Sequence, residues 1–404
     1  MTLLQINTVI NSGSTGRIAE ALGETVISHG WQSYIAYGRN PRLSYSQPIK
    51  IGNKFDIYNH VLQTRLFDRH GLGSSESTKQ LINHIKKINP DIIHLHNIHG
   101  YYLNIKVLFD WLKTANIPIV WTLHDCWTFT GHCAYFTAAN CNRWQTECHN
   151  CPEKHNYPKS ILLDRSKENY QLKKQLFTGL KNLTIVTPSQ WLASEVEKSF
   201  LKDYRTVVIN NGIDLNVFKP TEGSLPNSID ANKKIILGVA NVWTERKGLN
   251  DFIRLADILP QEYQIVMVGL TPKQIKSMPK NIICIERTES AEQLAQLYSA
   301  AAVLFNPTYE DNFPTVNLES LACGTPVITY NVGGSPETID AETGFSVECG
   351  SINEATNKIK QIASQNKSTW SAACINRARS HFNAADKFDE YFALYRNILG
   401  ELRP

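Results

Sequence analysis

"AAVLFNPTYEDNFPTVNLESLACGTPVITYNVGG", residues 301–334, reads as strand, loop, helix, turn and strand. The apolar runs at its two ends are short and rich in β-branched and aromatic residues, which suits buried strands. Between them a helix is expected from about 313 to 323, with Pro314 in its first turn and Gly324 as its C-terminal cap. Two strands joined through a helix need a crossover connection, and a crossover makes them parallel. The same unit recurs upstream in "KKIILGVANVW", "YQIVMVGL" and "NIICIE", separated by helix-length stretches such as "SAEQLAQLYSAA".

Nearer the N-terminus the alternation is already present. "LLQINTVI", "TGRIAEALGETVISHG" and "QSYIAYG" read as strand, helix and strand, and "DIIHLHNI", "IPIVWTLHD" and "LTIVTPS" continue the series. The expected fold class is therefore α/β, with two doubly wound Rossmann-like domains facing across a cleft. Residues 1–200 form the first domain and 201–383 the second, with a hinge around 198–205. The last segment, 384–404, spaces Phe388, Tyr391, Phe392, Tyr395 and Ile398 as one helix face, expected to pack back on the first domain.

Composition narrows the function. A net charge of +4 on 404 residues is too slight for a nucleic-acid partner. There is no apolar run long enough for a membrane span and no secretory leader, so a cytoplasmic protein is expected. Lysines in "KQLINHIKKINPD" and "DRSKENYQLKKQLFTGLKN" read as solvated helix faces, with peripheral contact at an anionic inner-membrane surface as the alternative.

Ligands of open parallel sheets bind beyond the carboxyl ends of the strands. In "GVANVWTERKGL" this rule places Arg246 and Lys247 at the mouth of the second sheet, a pair of cations suited to a diphosphate. The N-terminus of the helix after Pro314 aims free N–H groups at the same mouth. Asp311 lies before that helix and Glu319 within it, roughly 7 to 9 Å from its start. Two carboxylates so placed can flank a diphosphate and take the hydroxyls of a nucleotide sugar. In the first domain, Gly13 and Gly16 of "NSGSTGRIAEAL" open a helix after a strand, either as a close approach to a ligand or as a tight turn.

The series "GSTG", "TLHD", "TPSQWL", "VINNGID", "ERKG", "YEDNFPTVNLESLACGTPVITYNVGGSPE" and "TGF" resembles the retaining glycosyltransferase family four, of GT-B fold, over nearly the whole chain. It is most similar to the bacterial polysaccharide branch of the colanic-acid biosynthesis kind. The resemblance implies sugar transfer from a nucleotide-diphosphate donor with retention and without a catalytic metal. UDP-sugars are the default donors and GDP-sugars the second choice; a glycan or lipid-linked acceptor receives the sugar. It further implies that Arg246 and Lys247 hold the diphosphate, that Glu319 binds the ribose, and that Asp311, by count, binds the donor sugar. Glu310 is the alternative to Asp311, because the family more often carries Glu there. The backbone from Asn312 through Phe313, Pro314 and Thr315 to Val316 approaches sugar and phosphates. His124 matches a histidine that points at the donor sugar. His96, His99 and Tyr101 line the acceptor side or pack against a neighbouring loop.

Five of the nine cysteines fall in "CWTFTGHCAYFTAANCNRWQTECHNCP". Cys148 and Cys151 form a knuckle suited to zinc, and Cys133 and Cys141 complete four thiolates, with free thiols or disulfides as the alternatives. Two other functions stand beside the transferase: a nucleotide-sugar epimerase of the same fold, and a zinc-dependent nucleic-acid module.

Overall fold

The computed structural model of the chain describes residues 1–400; the last four positions of the expected terminal segment lie outside the described residues. The chain divides into two compact units, Met1–Ile209 with the chain from Phe388, and Asn210–Lys387.

In the first unit seven strands form one parallel sheet: β1 (Thr2–Ile10), β2 (Gln32–Pro41), β3 (Gln47–Lys50), β4 (Ile92–Leu95), β5 (Ile119–Thr122), β6 (Leu183–Thr187) and β7 (Arg205–Val208). Their order is β3-β2-β1-β4-β5-β6-β7. β4, β5 and β6 are buried along their whole length, as strands covered by helices on both faces must be. β7 corrects the expected boundary. Its residues pair in parallel with β6, Thr184 to Arg205 through Thr187 to Val208, so the first domain extends past 200 and past the expected hinge.

The second unit holds six parallel strands: β8 (Lys234–Val239), β9 (Tyr263–Val268), β10 (Ile282–Ile285), β11 (Val303–Asn306), β12 (Val327–Tyr330) and β13 (Gly344–Val347), in the order β10-β9-β8-β11-β12-β13. Ile236, Leu237, Val266, Leu304, Phe305 and Ile328 are fully enclosed in its core.

The terminal helix Ala384–Ile398 begins in the second unit and returns to the first. Tyr391, Phe392 and Tyr395 are buried against Leu3, Val26, Ile92 and Val120, and Phe388 and Ile398 flank them. The aromatic spacing read from the sequence is thus a core seam. The two lysine-bearing segments differ. Lys86 and Lys87 are exposed on the helix Ser75–Ile88, but Lys173, on the helix Ser166–Phe177, is buried. Among the described residues no helix is long and apolar enough to cross a membrane.

Candidate active site

Each sheet reverses its strand order at one place, between β1 and β4 in the first and between β8 and β11 in the second. At such a switch point adjacent strands send their following loops in opposite directions, leaving a crevice beyond the sheet.

In the second domain, the loop after β8 ends in a single turn, Glu245–Lys247, closed by Gly248 at φ +75°. A Cβ on Gly248 would stand 2.3 Å from the Pro307 carbonyl oxygen, so only glycine lets this loop lie against the one that follows β11. The two loops are laced together. Tyr309 N–H donates to the Arg246 carbonyl (2.8 Å), and Arg246 Nη1 donates to the Glu310 carbonyl (2.8 Å). Lys247 Nζ lies 2.5 Å from Asp311 Oδ2, and Asp311 Oδ1 accepts from Phe313 N–H at 3.3 Å. The loop after β12 closes behind Asp311: Gly334 N–H donates to its carbonyl, and Gly333 adopts φ +55°.

The helix here runs Thr315–Ala322, shorter than the expected 313–323, with Pro314 in extended backbone at the N-cap position and no side-chain cap. The cause is Phe313. Its ring is buried against Phe382 and its carbonyl accepts from Asn211 Nδ2, which holds residue 313 out of the helix. Phe313 therefore contributes its ring to the core. Glu319 is now four residues from the helix start, about 6 Å along the axis. It is buried, and its Oε2 accepts from the Tyr298 hydroxyl at 2.7 Å. Burial, with the Glu319 charge beside it, holds the Tyr298 hydroxyl well above the usual phenol range, so it stays a donor. Asn312 and Glu310 are buried as well, and the Glu310 carbonyl also receives the Thr308 hydroxyl. Thr315 opens the helix.

In the first domain, Gly13 opens the helix Gly13–Ser28, and nothing lies within 4 Å of where its Cβ would be. Gly16 is different: a Cβ there would stand 3.0 Å from Val9 Cγ2. It packs the helix closely on the strand, in keeping with the tight-turn alternative of the sequence reading.

Beyond β4 and β5 the histidines fall into two groups. Gln5 Nε2 donates to the Ala19 carbonyl (2.7 Å), which fixes its amide so that Oε1 accepts from His96 Nε2 (3.0 Å). His96 Nδ1 then accepts from His124 Nε2 at 3.1 Å, the rings stacked 5.4 Å apart. Burial first, with the neighbouring histidines, holds His96 well below the usual imidazole range. His124, partly exposed, is pushed down to about 4 by burial and His99 against the pull of Asp125. Both rings are neutral, and the relay gives His124 its hydrogen on Nε2 and a lone pair on Nδ1.

The second group is His99, whose Nε2 lies 2.8 Å from Asp125 Oδ2 and whose Nδ1 lies 2.8 Å from the Tyr157 hydroxyl. Burial would raise the Asp125 carboxyl, but the His99 charge and hydrogen bond and the Trp127 N–H outweigh it, so the group is held low. Tyr101, at φ +70°, packs its ring 4.9 Å from His70. His99 and Tyr101 are thus built into a buried cluster, the packing alternative of the sequence reading. Asp125, Gln5, Tyr157 and Tyr298 were not singled out from sequence. Asp125 follows His124 directly in "TLHD" and could have been; the others are brought in only by tertiary contact.

Cys133, Cys141, Cys148 and Cys151 line one small cavity in the first domain, although no three His, Cys, Asp or Glu side chains among the described residues stand as a ready metal-binding set.

The Glycosyltransferase Family 4 model matches residues 15–217, half of the chain, and the Glycosyl transferases group 1 model matches residues 224–381. The chain is 25% identical, over 98% of its own length and 100% of the relative's, to the Escherichia coli (strain K12) protein named as colanic acid biosynthesis glycosyl transferase WcaC. Over 167 residues it is 29% identical to the processive diacylglycerol alpha-glucosyltransferase of Acholeplasma laidlawii, which covers 38% of this chain and 49% of that one. Among solved structures, sucrose-phosphate synthase from Thermosynechococcus elongatus aligns with TM-score 0.73 at 18% identity, covering 99% of this chain and 100% of that one. Anabaena Alr3699/HepE in complex with UDP-glucose aligns with TM-score 0.64 at 16% identity, covering both chains fully. At these identities the structural likeness is one of fold, the GT-B fold of two Rossmann-like domains. With sequence models spanning both domains and the strand orders described above, the chain belongs to glycosyltransferase family four.

Proposed function

We propose that the protein is a retaining glycosyltransferase that takes a sugar from a UDP-sugar and passes it to a glycan or lipid-linked acceptor in bacterial surface polysaccharide biosynthesis. The observation that carries the reading is the Lys247–Asp311 contact of 2.5 Å at the switch point between β8 and β11. A cation for the diphosphate and a carboxylate for the sugar stand side by side there, with Arg246 on the same turn. Full-length similarity to a colanic-acid glycosyl transferase supports the polysaccharide role, and a UDP-glucose complex of a protein with this fold supports the donor class.

Departure of the diphosphate builds negative charge on its oxygens and positive charge on the anomeric carbon. Fixed donors aimed at that growing charge lower the barrier. Arg246, Lys247 and the uncapped N-terminus of the helix Thr315–Ala322 fill this role in place of a metal ion. Glu319, its carboxylate oriented by Tyr298, takes the ribose hydroxyls. With retention and no enzymic nucleophile, the acceptor hydroxyl attacks from the leaving-group face and a phosphate oxygen takes its proton.

A thermal-shift series with UDP, GDP and their sugars tests the donor class, because a ligand that binds only the folded state raises the melting temperature. UDP at about a hundred times its Kd adds about 2.7 kcal/mol. A shift with GDP and none with UDP would replace the donor assignment. Incubation with donor alone checks the reaction, since conversion to a second sugar nucleotide would mark an epimerase instead.

A further inference from the structure

The segment from Leu123 to Arg165, between β5 and the helix Ser166–Phe177, contains only two single turns, Trp127–Phe129 and Arg143–Gln145, as regular structure among the described residues. Irregular chain of this length inside a compact domain needs something other than backbone ladders to hold it. Part of that is aromatic: Phe129, Phe136 and Trp144 are buried, with ring centroids 4.8 to 5.1 Å apart across Trp144. At the centre is a cavity of about 10 Å³, lined by Cys133, Cys141, Cys148, Cys151, His132 and Trp144 among others. That is room for one water-sized sphere and no more.

The four cysteines that line this cavity are accompanied by buried nitrogen groups. Gly131 N–H donates to Cys148 Sγ at 3.2 Å. Lys173 is 3% exposed, and its Nζ donates to the carbonyls of Trp127 and Thr130. A lysine is almost never buried without compensation. His132 is also buried, with Nδ1 2.6 Å from Asp68 Oδ1, while its Nε2 has no hydrogen-bond partner.

We propose that Cys133, Cys141, Cys148 and Cys151, which line one cavity, bind one Zn²⁺ as a structural tetrathiolate. Binding exchanges four thiol protons for the ion and leaves a site of net charge −2, closed as structural zinc sites are. Because the thiols do not yet stand as a ready set, the ion turns them between staggered χ1 wells toward the shared cavity. Asp68 orients the His132 ring beside the site, the arrangement that outer-shell carboxylates provide. The ion pins the same segment that carries Tyr157 to His99, and so helps to hold the buried cluster around His99.

The site is independent of the donor reading, and its test is metal content. Full-length protein purified without chelator is expected to carry about one zinc per chain by plasma mass spectrometry, released by a mercurial thiol reagent. Cobalt supplied in its place should give the intense visible absorption of a tetrahedral thiolate site. Cys148→Ser with Cys151→Ser should lose the metal, whereas Cys349→Ser, an exposed cysteine of the other domain, should keep it. Less than about a tenth of an equivalent of zinc in the wild-type protein, with no cobalt absorption, overturns the proposal. So does an intact mass showing these cysteines as disulfides. The wild-type measurement decides the matter even if the double variant does not fold, and a UDP thermal shift on the same sample reports the donor site separately.

Discussion

Lys247→Ala separates a structural from a chemical role for the cation at the second switch point. The pair it forms with Asp311 is partly open, with 22% and 18% of the two side chains exposed. A pair of that kind is worth about 1 kcal/mol or less to folding. In a domain of this size, that lowers the melting temperature by roughly 2 to 4 °C. Asp311 also keeps its bond from Phe313 N–H, so the loop is not left without an anchor. Loss of one fixed donor to a developing oxyanion instead costs about 2.7 to 4 kcal/mol, a rate loss of roughly 10² to 10³. The assay is release of nucleotide diphosphate from a labelled UDP-sugar in the presence of membrane acceptor, measured together with UDP affinity and the melting temperature. Asp311→Asn is the companion. It frees Lys247 for phosphate, so UDP should bind at least as well as in the wild type, while the advantage of the UDP-sugar over UDP disappears. Turnover of Lys247→Ala within about threefold of wild type would refute the reasoning. So would a rate loss that merely follows a large fall in melting temperature.

Glu319→Gln should weaken UDP binding by about ten- to a hundredfold, the value of a hydrogen bond to a charged group, and by more than Glu310→Gln does; equal effects in titration calorimetry would remove the ribose role from Glu319. Gly333→Ala places a Cβ 1.9 Å from the Asp311 carbonyl oxygen at φ +55°, so a loss of more than about 2 kcal/mol in denaturant unfolding is expected, and an unchanged midpoint would contradict the packing of that loop. Acid should destabilise the first domain. Burial lowers His60 and His124 to about 4 and holds His70, His94 and His96 well below the usual imidazole range, so the unfolded chain binds protons below about pH 6.5 that the folded one refuses. Stability is full above that pH and falls as pH drops from 6.5 toward 4, by up to about 1.4 kcal/mol per pH unit for each independent group; unfolding curves that coincide at pH 7 and pH 5 would count against it.

The parallel sheets were legible because their strands are buried on both faces and so appear as unbroken apolar runs, while helices between them keep a 3.6-residue period. β7 was placed in the wrong domain for the same reason seen from the other side. "RTVV" has the composition of any strand, and only its pairing with β6 says which sheet owns it. At the second switch point the sequence supplied Arg246, Lys247, Asp311 and Glu319, since strand ends and a helix start are local signals. It did not supply Tyr298, which reaches Glu319 from a different helix, or Gln5, which fixes a histidine tautomer 91 residues away. Gly16 shows the limit of motif reading. A glycine at a helix start looks the same whether it faces a ligand or a neighbouring valine, and only the distance to Val9 tells them apart. Lys173 was assigned to a solvated face by its charge, and a lysine whose ammonium is taken up by the carbonyls of Trp127 and Thr130 cannot be recognised from charge alone.

The return of the terminal helix to the first unit has a consequence for the order of assembly on the ribosome. Phe388 to Ile398 complete the core that Leu3 and Val26 begin, yet they are synthesised only after every residue of the second unit. Where domains otherwise fold in turn from the N-terminus, here the first sheet must wait, with one seam open, until the nested domain has emerged. Ile213 N–H bonds the Phe382 carbonyl and Ala384 N–H bonds the Ile213 carbonyl, so the entry and exit of that nested domain are stitched to each other. It is an insert with its ends tied, and a stop codon near residue 385 would damage the beginning of the protein.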